Sequence, residues 1–308
     1  MRVIFLGTPA FALPSLEGLF ARHEVVAAVT QPDRPKGRGH EVTQSPVKQW
    51  AEAHGVPVLQ FERIRLEGAG ALRACGADVM VTAAYGQLLS QEILDICPCG
   101  VLNVHASLLP EYRGSAPVQW ALMYGETDTG VTIMRTEAGL DTGAVLLSVP
   151  TQIEPEETAG ALTARLAVIG AEALLRVLDT LPQGLSAAVK QDEMAATYFP
   201  RITRETARID FSRGAVRIVN LVRAMNPQPG ATFTLGGAVF KVWTATALPQ
   251  AVGAVAGTVL AADSRRGLVI AAGDGAVSID ELTPQGGKRM SARAYLAGKT
   301  IQTGARCE

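Results

Sequence analysis

The chain has 308 residues, 48% of them hydrophobic and 5% aromatic, with a formal net charge of −1 at pH 7. Such a length holds one large domain or two ordinary ones around a sizeable core, and the near-zero total excludes a uniformly basic or acidic polyelectrolyte. Four cysteines are too few for a disulfide scaffold, and Cys97-Pro98-Cys99 has neither the spacing nor the His partners of a zinc site. Cys75, Cys97, Cys99 and Cys307 are therefore expected as reduced thiols in a cytoplasmic protein, with no metal. No apolar run reaches the roughly 18 residues of a membrane span, and no charged-then-apolar leader precedes Val3-Ile4-Phe5-Leu6. The first strand is expected to start at once.

Arg2 to Leu6 reads as a buried strand closed by Gly7-Thr8-Pro9, with helical spacing following from Phe11 to Phe20. Glu24 to Thr30 is a second strand. Ser45-Pro46 opens a helix running to His54, since Ser suits the N-cap and Pro the first helical position. Val56 to Leu59 is strand-like, Leu66 to Cys75 helical, Val79 to Ala83 a strand, Gln91 to Ile96 a short helix and Val101 to Val104 the next strand. Helices alternating with unbroken apolar runs predict an α/β domain with a mostly parallel, Rossmann-like sheet. Gly7-Thr8-Pro9-Ala10-Phe11-Ala12 has one glycine where the dinucleotide fingerprint needs three, so the Rossmann-like layout does not license a nicotinamide cofactor. Between Thr30 and Ser45 lies a long basic loop, Gln31-Pro32-Asp33-Arg34-Pro35-Lys36-Gly37-Arg38-Gly39-His40, of the kind that reaches phosphates or bases.

Asn103 and His105 stand two apart at the end of an apolar strand and so share a face. Parallel sheets bind ligands beyond the C-terminal ends of their strands. A carboxylate, Asp141, arrives from the glycine-flanked loop Gly139-Leu140-Asp141-Thr142-Gly143. An amide, an imidazole and a carboxylate are the inventory for stabilising an oxyanion, moving a proton and orienting the proton carrier. The ordinary alternative is a pair of satisfied polar residues at a strand end.

Val131 to Met134 and Ala144 to Leu147 bracket that loop as strands, and Thr158 to Leu181 has strong helical periodicity with Thr158 as N-cap. Leu185 to Thr203 loses periodicity and is expected to be an extended surface linker. Ala215 to Met225 is an amphipathic helix stopped at Asn226-Pro227. Short segments separated by glycine turns follow at Ala231 to Leu235, Val239 to Ala245, Gly257 to Ala261, Leu268 to Ala272 and Val277 to Leu282, which suggests a small barrel. From Glu205 to Glu308 there are twelve Lys/Arg and seven Asp/Glu, a surplus of +5 that leaves −6 on the rest. A basic C-terminal third, with Lys288, Arg289 and Arg293 near its end, is suited to a polyanion.

The sequence resembles the methionyl-tRNA formyltransferase family over essentially its whole length. The resemblance runs through Gln31-Pro32-Asp33-Arg34-Pro35 with Gly37-Arg38-Gly39, Ser45-Pro46-Val47-Lys48 and Asn103-Val104-His105-Ala106-Ser107-Leu108-Leu109-Pro110. It continues through Tyr112-Arg113-Gly114-Ser115-Ala116-Pro117, Gly130-Val131-Thr132-Ile133-Met134, Leu140-Asp141-Thr142-Gly143 and Ala207-Arg208-Ile209-Asp210-Phe211. It implies a catalytic domain over residues 1–184, a linker over 185–204 and an OB-like, tRNA-binding barrel over 205–308. It also implies 10-formyltetrahydrofolate as formyl donor and methionyl-initiator tRNA as acceptor, with Ser107, Leu108, Leu109 and Pro110 at the folate and Arg34, Lys36 and Arg38 at the tRNA.

In this reading Asn103 donates to the oxygen that becomes negative, His105 holds that oxygen or relays the amine proton, and Asp141 orients His105. Ser107 is a poor acyl-enzyme serine because the acceptor amine is already a nucleophile. A monomer is expected. Two departures concern tRNA docking: His40-Glu41 replaces the family's frequent basic pair, and Asn226-Pro227-Gln228-Pro229 its Asn-Pro-Trp-Pro. The alternatives are a sister enzyme formylating an amino-sugar nucleotide or another small amine, which needs no Arg38 loop, and a non-catalytic RNA-binding protein.

Overall fold

The computed structural model describes residues 1–36, 41–248 and 253–308. It divides into two compact units. The first comprises Met1–Pro117, Asp128–Gln152 and Thr163–Pro200, and the second Val118–Thr127, Ile153–Leu162 and Arg201–Glu308.

In chain order the first elements are β1 (Arg2–Gly7), α1 (Leu13–Arg22), β2 (Glu24–Thr30), β3 (Arg34–Lys36), β4 (Glu41–Thr43), α2 (Pro46–Ala53) and β5 (Val58–Gln60). Then come α3 (Ile64–Glu67), α4 (Ala69–Ala74), β6 (Val79–Ala83), α5 (Gln91–Leu94), β7 (Val101–His105) and β8 (Arg113–Gly114). They are followed by α6 (Pro117–Tyr124), β9 (Asp128–Arg135), β10 (Val145–Gln152), α7 (Ala159–Leu178) and β11 (Tyr198–Phe199).

Seven strands form one sheet in the order β10-β9-β7-β6-β1-β2-β5. The five strands from β7 to β5 are parallel, and β9 runs antiparallel to both β7 and β10. Burial follows position. Central β6 is buried at every residue, whereas edge strand β10 alternates from Ser148 to Gln152, as one solvated face requires. On one face Ile4, Leu6, Val29, Ile64, Leu72, Met80 and Ile93 are fully inaccessible and form a single cluster. The chain leaves β1 for β2 on one side and returns to β6 on the other, so the order reverses between β1 and β6, where such sheets open a crevice.

The local signals for α2 operate as expected: the Ser45 hydroxyl accepts the Lys48 N–H at 3.1 Å and Pro46 fills the first turn, a cap worth about 1 kcal/mol. Thr158 caps α7 by accepting the Ala161 N–H. The single helix expected over Leu66–Cys75 is two short ones meeting at Gly68, whose N–H closes the first on the Ile64 carbonyl. The start of the basic loop is an antiparallel ribbon, β3 with β4, pairing Arg34 with Thr43 and Pro35 with Val42.

The stretch expected as a surface linker is different in kind. Val189 exchanges two backbone hydrogen bonds with Val145, the Thr197 carbonyl accepts the Arg113 N–H, and β11 pairs with β8. As far as Pro200 it belongs to the first unit, because its backbone groups are paired with that unit.

The second unit contains α8 (Ala215–Met225), β12 (Ala231–Leu235), β13 (Ala238–Leu248), β14 (Val259–Asp263), β15 (Gly267–Ala271), β16 (Ala276–Pro284), β17 (Met290–Ser291) and α9 (Ala292–Gly298). Antiparallel strands run in the order β12-β13-β16-β15-β14. The last residues lace the two edges together. Glu308 exchanges hydrogen bonds with Thr234 of β12, the Ala305 carbonyl accepts from Val259 of β14, and the Cys307 N–H donates to the carbonyl of Gly257 just before β14. The sheet thereby closes into a barrel with no long free edge among the described residues. Phe233 stacks on Phe240 at 5.2 Å in its core.

Candidate functional site

β6 and β7 are parallel, with Thr82 in register with Asn103. Their side chains meet: the Thr82 hydroxyl donates to Asn103 Oδ1 at 2.7 Å. Because that oxygen is engaged, the amide presents its NH2 end, and Asn103 Nδ2 has no hydrogen-bond partner among the described residues. A half-buried donor held by a buried threonine, with its protons unspent, can stabilise a negative oxygen brought up to it.

His105 follows two residues on and is 6% exposed. Its Nε2 lies 3.1 Å from the Tyr112 carbonyl, which only accepts, so Nε2 carries a proton. Its Nδ1 lies 3.7 Å from Asp141 Oδ1. That is a charge-pair distance and longer than a hydrogen bond. Asp141 Oδ2 accepts the Gly114 N–H at 2.9 Å, which fixes the carboxylate against β8.

Tyr112 and Asp141 are both left-handed, at φ 57° and 53°. Such a conformation costs a non-glycine residue roughly 1 kcal/mol or more and persists only where the surroundings impose it. Two glycines permit the approach of the loops. A Cβ on Gly143 would lie 1.7 Å from the Arg135 carbonyl oxygen, and one on Gly114, at φ 120°, would lie 2.2 Å from that of Phe199.

Beneath the Asp141 loop sits Arg113, fully inaccessible to solvent. Its Nε and Nη2 donate to Gln191 Oε1 at 3.1 and 2.8 Å, and its guanidinium makes a two-pronged contact with Glu193 at 2.9 Å. The Tyr198 hydroxyl is a further partner. The Glu193 hydrogen bond, opposed by burial, raises the Arg113 pKa, and the guanidinium in turn holds the exposed Glu193 carboxyl below its ordinary value.

The other residues expected at the site fall in different places. The Ser107 hydroxyl donates to the Glu111 carbonyl at 2.7 Å, closing the Leu108–Pro110 turn. The Leu109 N–H donates to Thr132, whose hydroxyl donates to the Ser107 carbonyl. Ser107 thus shapes this turn with its hydroxyl already used, and Leu108 lies against Gly130 of β9. Arg34 is paired with Glu62 at 2.9 Å. Arg38 lies outside the described residues, as does the side chain of Lys36. Residues beyond the expected set also enter the site: Thr82, Tyr112 and Gln191. Thr82 looks like an ordinary strand residue, and Gln191 stands in a stretch without periodicity, so neither carries a local signal.

At the far side of the strand-order reversal, a cleft of about 300 Å³ is lined by Gln31, Glu62, Arg63, Arg65, Gly86, Gln87 and Leu88. Glutamine amides brace it. Gln31 Nε2 donates to the Tyr85 carbonyl, Gln87 Nε2 to Gln31 Oε1 and the Phe61 carbonyl, and Gln60 Nε2 to the Gln31 carbonyl and Asp33. Lys48 closes the set on Asp33 and Gln60. Among the described residues no group of three or more His, Cys, Asp or Glu is arranged to hold a metal ion. No helix there is long and apolar enough to cross a membrane. Burial raises the Cys97 thiol pKa to about 11.

The α/β sheet thus carries an amide, an imidazole and a carboxylate at its mouth, and comparison with known proteins gives the chain a family. The model of the formyl transferase family matches residues 1–178, and that of the formyl transferase C-terminal domain residues 201–300. Methionyl-tRNA formyltransferase of Solibacter usitatus is 46% identical over 98% of this chain and 96% of its own. The enzyme of Thiobacillus denitrificans is 48% identical over 99% of both. The chain belongs to the methionyl-tRNA formyltransferase family of formyl transferases. In fold it is also similar to HypX from Aquifex aeolicus, solved in complex with tetrahydrofolic acid. That likeness has a TM-score of 0.63 at 18% identity, covering 96% of this chain but spanning 47% of HypX, about half its length.

Proposed function

We propose that the chain transfers the formyl group of 10-formyltetrahydrofolate to the α-amino group of methionyl-initiator tRNA. The observation that carries the reading is the joint placement of Asn103, His105 and Asp141 at the end of β7, with one amide donor unspent. The full-length match to relatives named for this activity supports the acceptor over an amino sugar.

In the proposed reaction the neutral amine attacks the formyl carbon and the carbonyl oxygen takes the electron pair. Asn103 Nδ2 donates to that oxygen, a contribution of about 3 kcal/mol for one such donor. The bond to the folate N10 then breaks, and the proton lost by the amine goes to that nitrogen. In this proposal His105 helps hold the oxygen or relays the proton, and the reading is supported by the Asp141 carboxylate facing the ring nitrogen opposite the Tyr112 carbonyl. No covalent enzyme intermediate is needed. Ser107 to Pro110 form the wall for the folate through their shape, with the Ser107 hydroxyl engaged inside the turn. Arg34, Lys36, Arg38 and the +5 C-terminal third meet the tRNA.

The test offers the purified chain 10-formyltetrahydrofolate with initiator Met-tRNA, elongator Met-tRNA or a dTDP-amino sugar. Formylmethionine on the initiator tRNA, with affinity falling as salt rises, is expected. Formylation of the sugar in preference to Met-tRNA overturns the proposed acceptor.

A further inference from the structure

The buried polar chain running from Arg113 to the Asp141 loop has no part in the chemistry just described, yet it ends on one of its groups. Gln191, 6% exposed, turns its amide nitrogen to two carbonyl oxygens at once: Asp141 at 2.8 Å and Gly143 at 2.7 Å. A primary amide has two N–H donors, and both are used. Its oxygen accepts from two nitrogens of Arg113, so the amide cannot flip without placing like poles against one another.

The residue whose carbonyl is held is the one in the left-handed conformation, Asp141 at φ 53°. Holding the carbonyls of residues 141 and 143 together sets the 141–142 and 143–144 peptide planes, which bracket Thr142 and Gly143. Those planes decide where the Asp141 carboxylate points: Oδ2 to the Gly114 N–H, Oδ1 toward His105. Around Gln191 the chain is fastened at intervals, by Val189 on Val145, by Glu193 and Tyr198 on Arg113, and by the Thr197 hydroxyl, which accepts the Tyr112 N–H. Residues 189–199 thus run as a strap behind the site. They touch the two left-handed residues, Tyr112 and Asp141, that flank His105.

We infer that Gln191 is a positioning residue for catalysis, setting the orientation of the Asp141 carboxylate, and through it His105, by its hydrogen bonds to the loop carbonyls. The inference rests on Asp141 acting in the reaction as proposed above. It has a distinctive thermodynamic consequence, because a residue that acts only through Asp141 has nothing left to lose once Asp141 is disabled.

The experiment is a double-mutant cycle on the full chain with Gln191→Glu and Asp141→Asn, measuring kcat at saturating donor and Met-tRNA, the two KM values and Tm. Glutamate keeps an acceptor for Arg113 and removes both donors to the loop. Gln191→Glu alone is expected to lower kcat about tenfold to a hundredfold, the scale of a misplaced catalytic group, with KM values changed less than about twofold. In the Asp141→Asn background the same substitution is expected to cost less than about twofold. Gln191→Asn, which keeps the amide on a shorter arm, serves as a second variant and is expected to fall between Gln191→Glu and the unsubstituted chain in kcat. An equal loss in both backgrounds means that Gln191 serves the fold at large and overturns the inference. So does wild-type kcat in Gln191→Glu and Gln191→Asn while Asp141→Asn is slow. Full activity of Asp141→Asn itself removes the proposed role of Asp141 and this inference with it.

Discussion

The two polar clusters of the first unit sit at C-terminal strand ends of the same sheet and are built on opposite principles. At β2, β5 and β6, amides answer amides and carbonyls: Gln31, Gln60 and Gln87 spend their donors on one another and on the backbone, and Lys48 is matched by Asp33. At β7 the outer partners are equally well tied, but the innermost are not. Asn103 keeps its donor, and His105 stands 3.7 Å from Asp141 without a formal hydrogen bond. The contrast bears on where the proposed chemistry is placed in this sheet. The braced cluster holds loops in place, and the one at β7 keeps an unspent donor for the charge that develops in the proposed reaction.

Substitutions sharpen that contrast in order of expected size. Arg113→Met strikes the β7 end hardest, because it strands the Gln191 oxygen and the inner side of Glu193; a loss of about 3 kcal/mol in denaturant unfolding is expected. A loss under about 1 kcal/mol would show that the buried guanidinium is dispensable to the fold. Thr82→Val is nearly isosteric and removes only the hydroxyl that orients Asn103. Formyl transfer should slow about tenfold, the worth of roughly one hydrogen bond, with KM for Met-tRNA unchanged. An unchanged rate would mean that the Asn103 amide is oriented without Thr82.

At the braced end Lys48→Met should leave kcat within about twofold and cost about 1 kcal/mol of stability, since the pair is only partly shielded. It also carries a pH signature. The Lys48 hydrogen bond holds the Asp33 carboxyl below its ordinary value, against a smaller opposing effect of burial. A carboxylate depressed in the folded state stabilises fully above its unfolded pKa and loses that contribution as pH falls through the folded one. Below about pH 4 the unsubstituted chain should therefore lose stability more steeply than Lys48→Met. Parallel acid curves would show that the Asp33–Lys48 pair contributes nothing measurable.

The same division explains what was readable from the residues alone. Strands β1, β2, β6 and β7 were visible because burial on both faces demands unbroken apolar runs, and α2 and α8 because capping and spacing are local. Asn103, His105 and Asp141 were singled out because their types and the glycines around Asp141 announce chemistry. The strap was not. Gln191 and Tyr198 act through partners far away in sequence, Asp141 and Arg113, and a polar stretch paired across such distances has the same composition as a surface linker. The β3–β4 ribbon was hidden for a related reason: Arg34, Pro35, Val42 and Thr43 are all exposed, so it lacks the apolar-polar alternation that marks a strand. Arg38 stays a sequence-based expectation, since it falls outside the described residues.

The incompletely satisfied cluster is tested most directly by single-turnover formyl transfer from 10-formyltetrahydrofolate to initiator Met-tRNA, comparing Asn103→Ala and His105→Ala with the unsubstituted chain. With circular dichroism and Tm preserved, Asn103→Ala is expected to slow the step about a hundredfold or more, with His105→Ala also clearly impaired and tRNA affinity unchanged in both. Near-native single-turnover rates in folded Asn103→Ala and His105→Ala would place the chemistry elsewhere and contradict the assignment of the site.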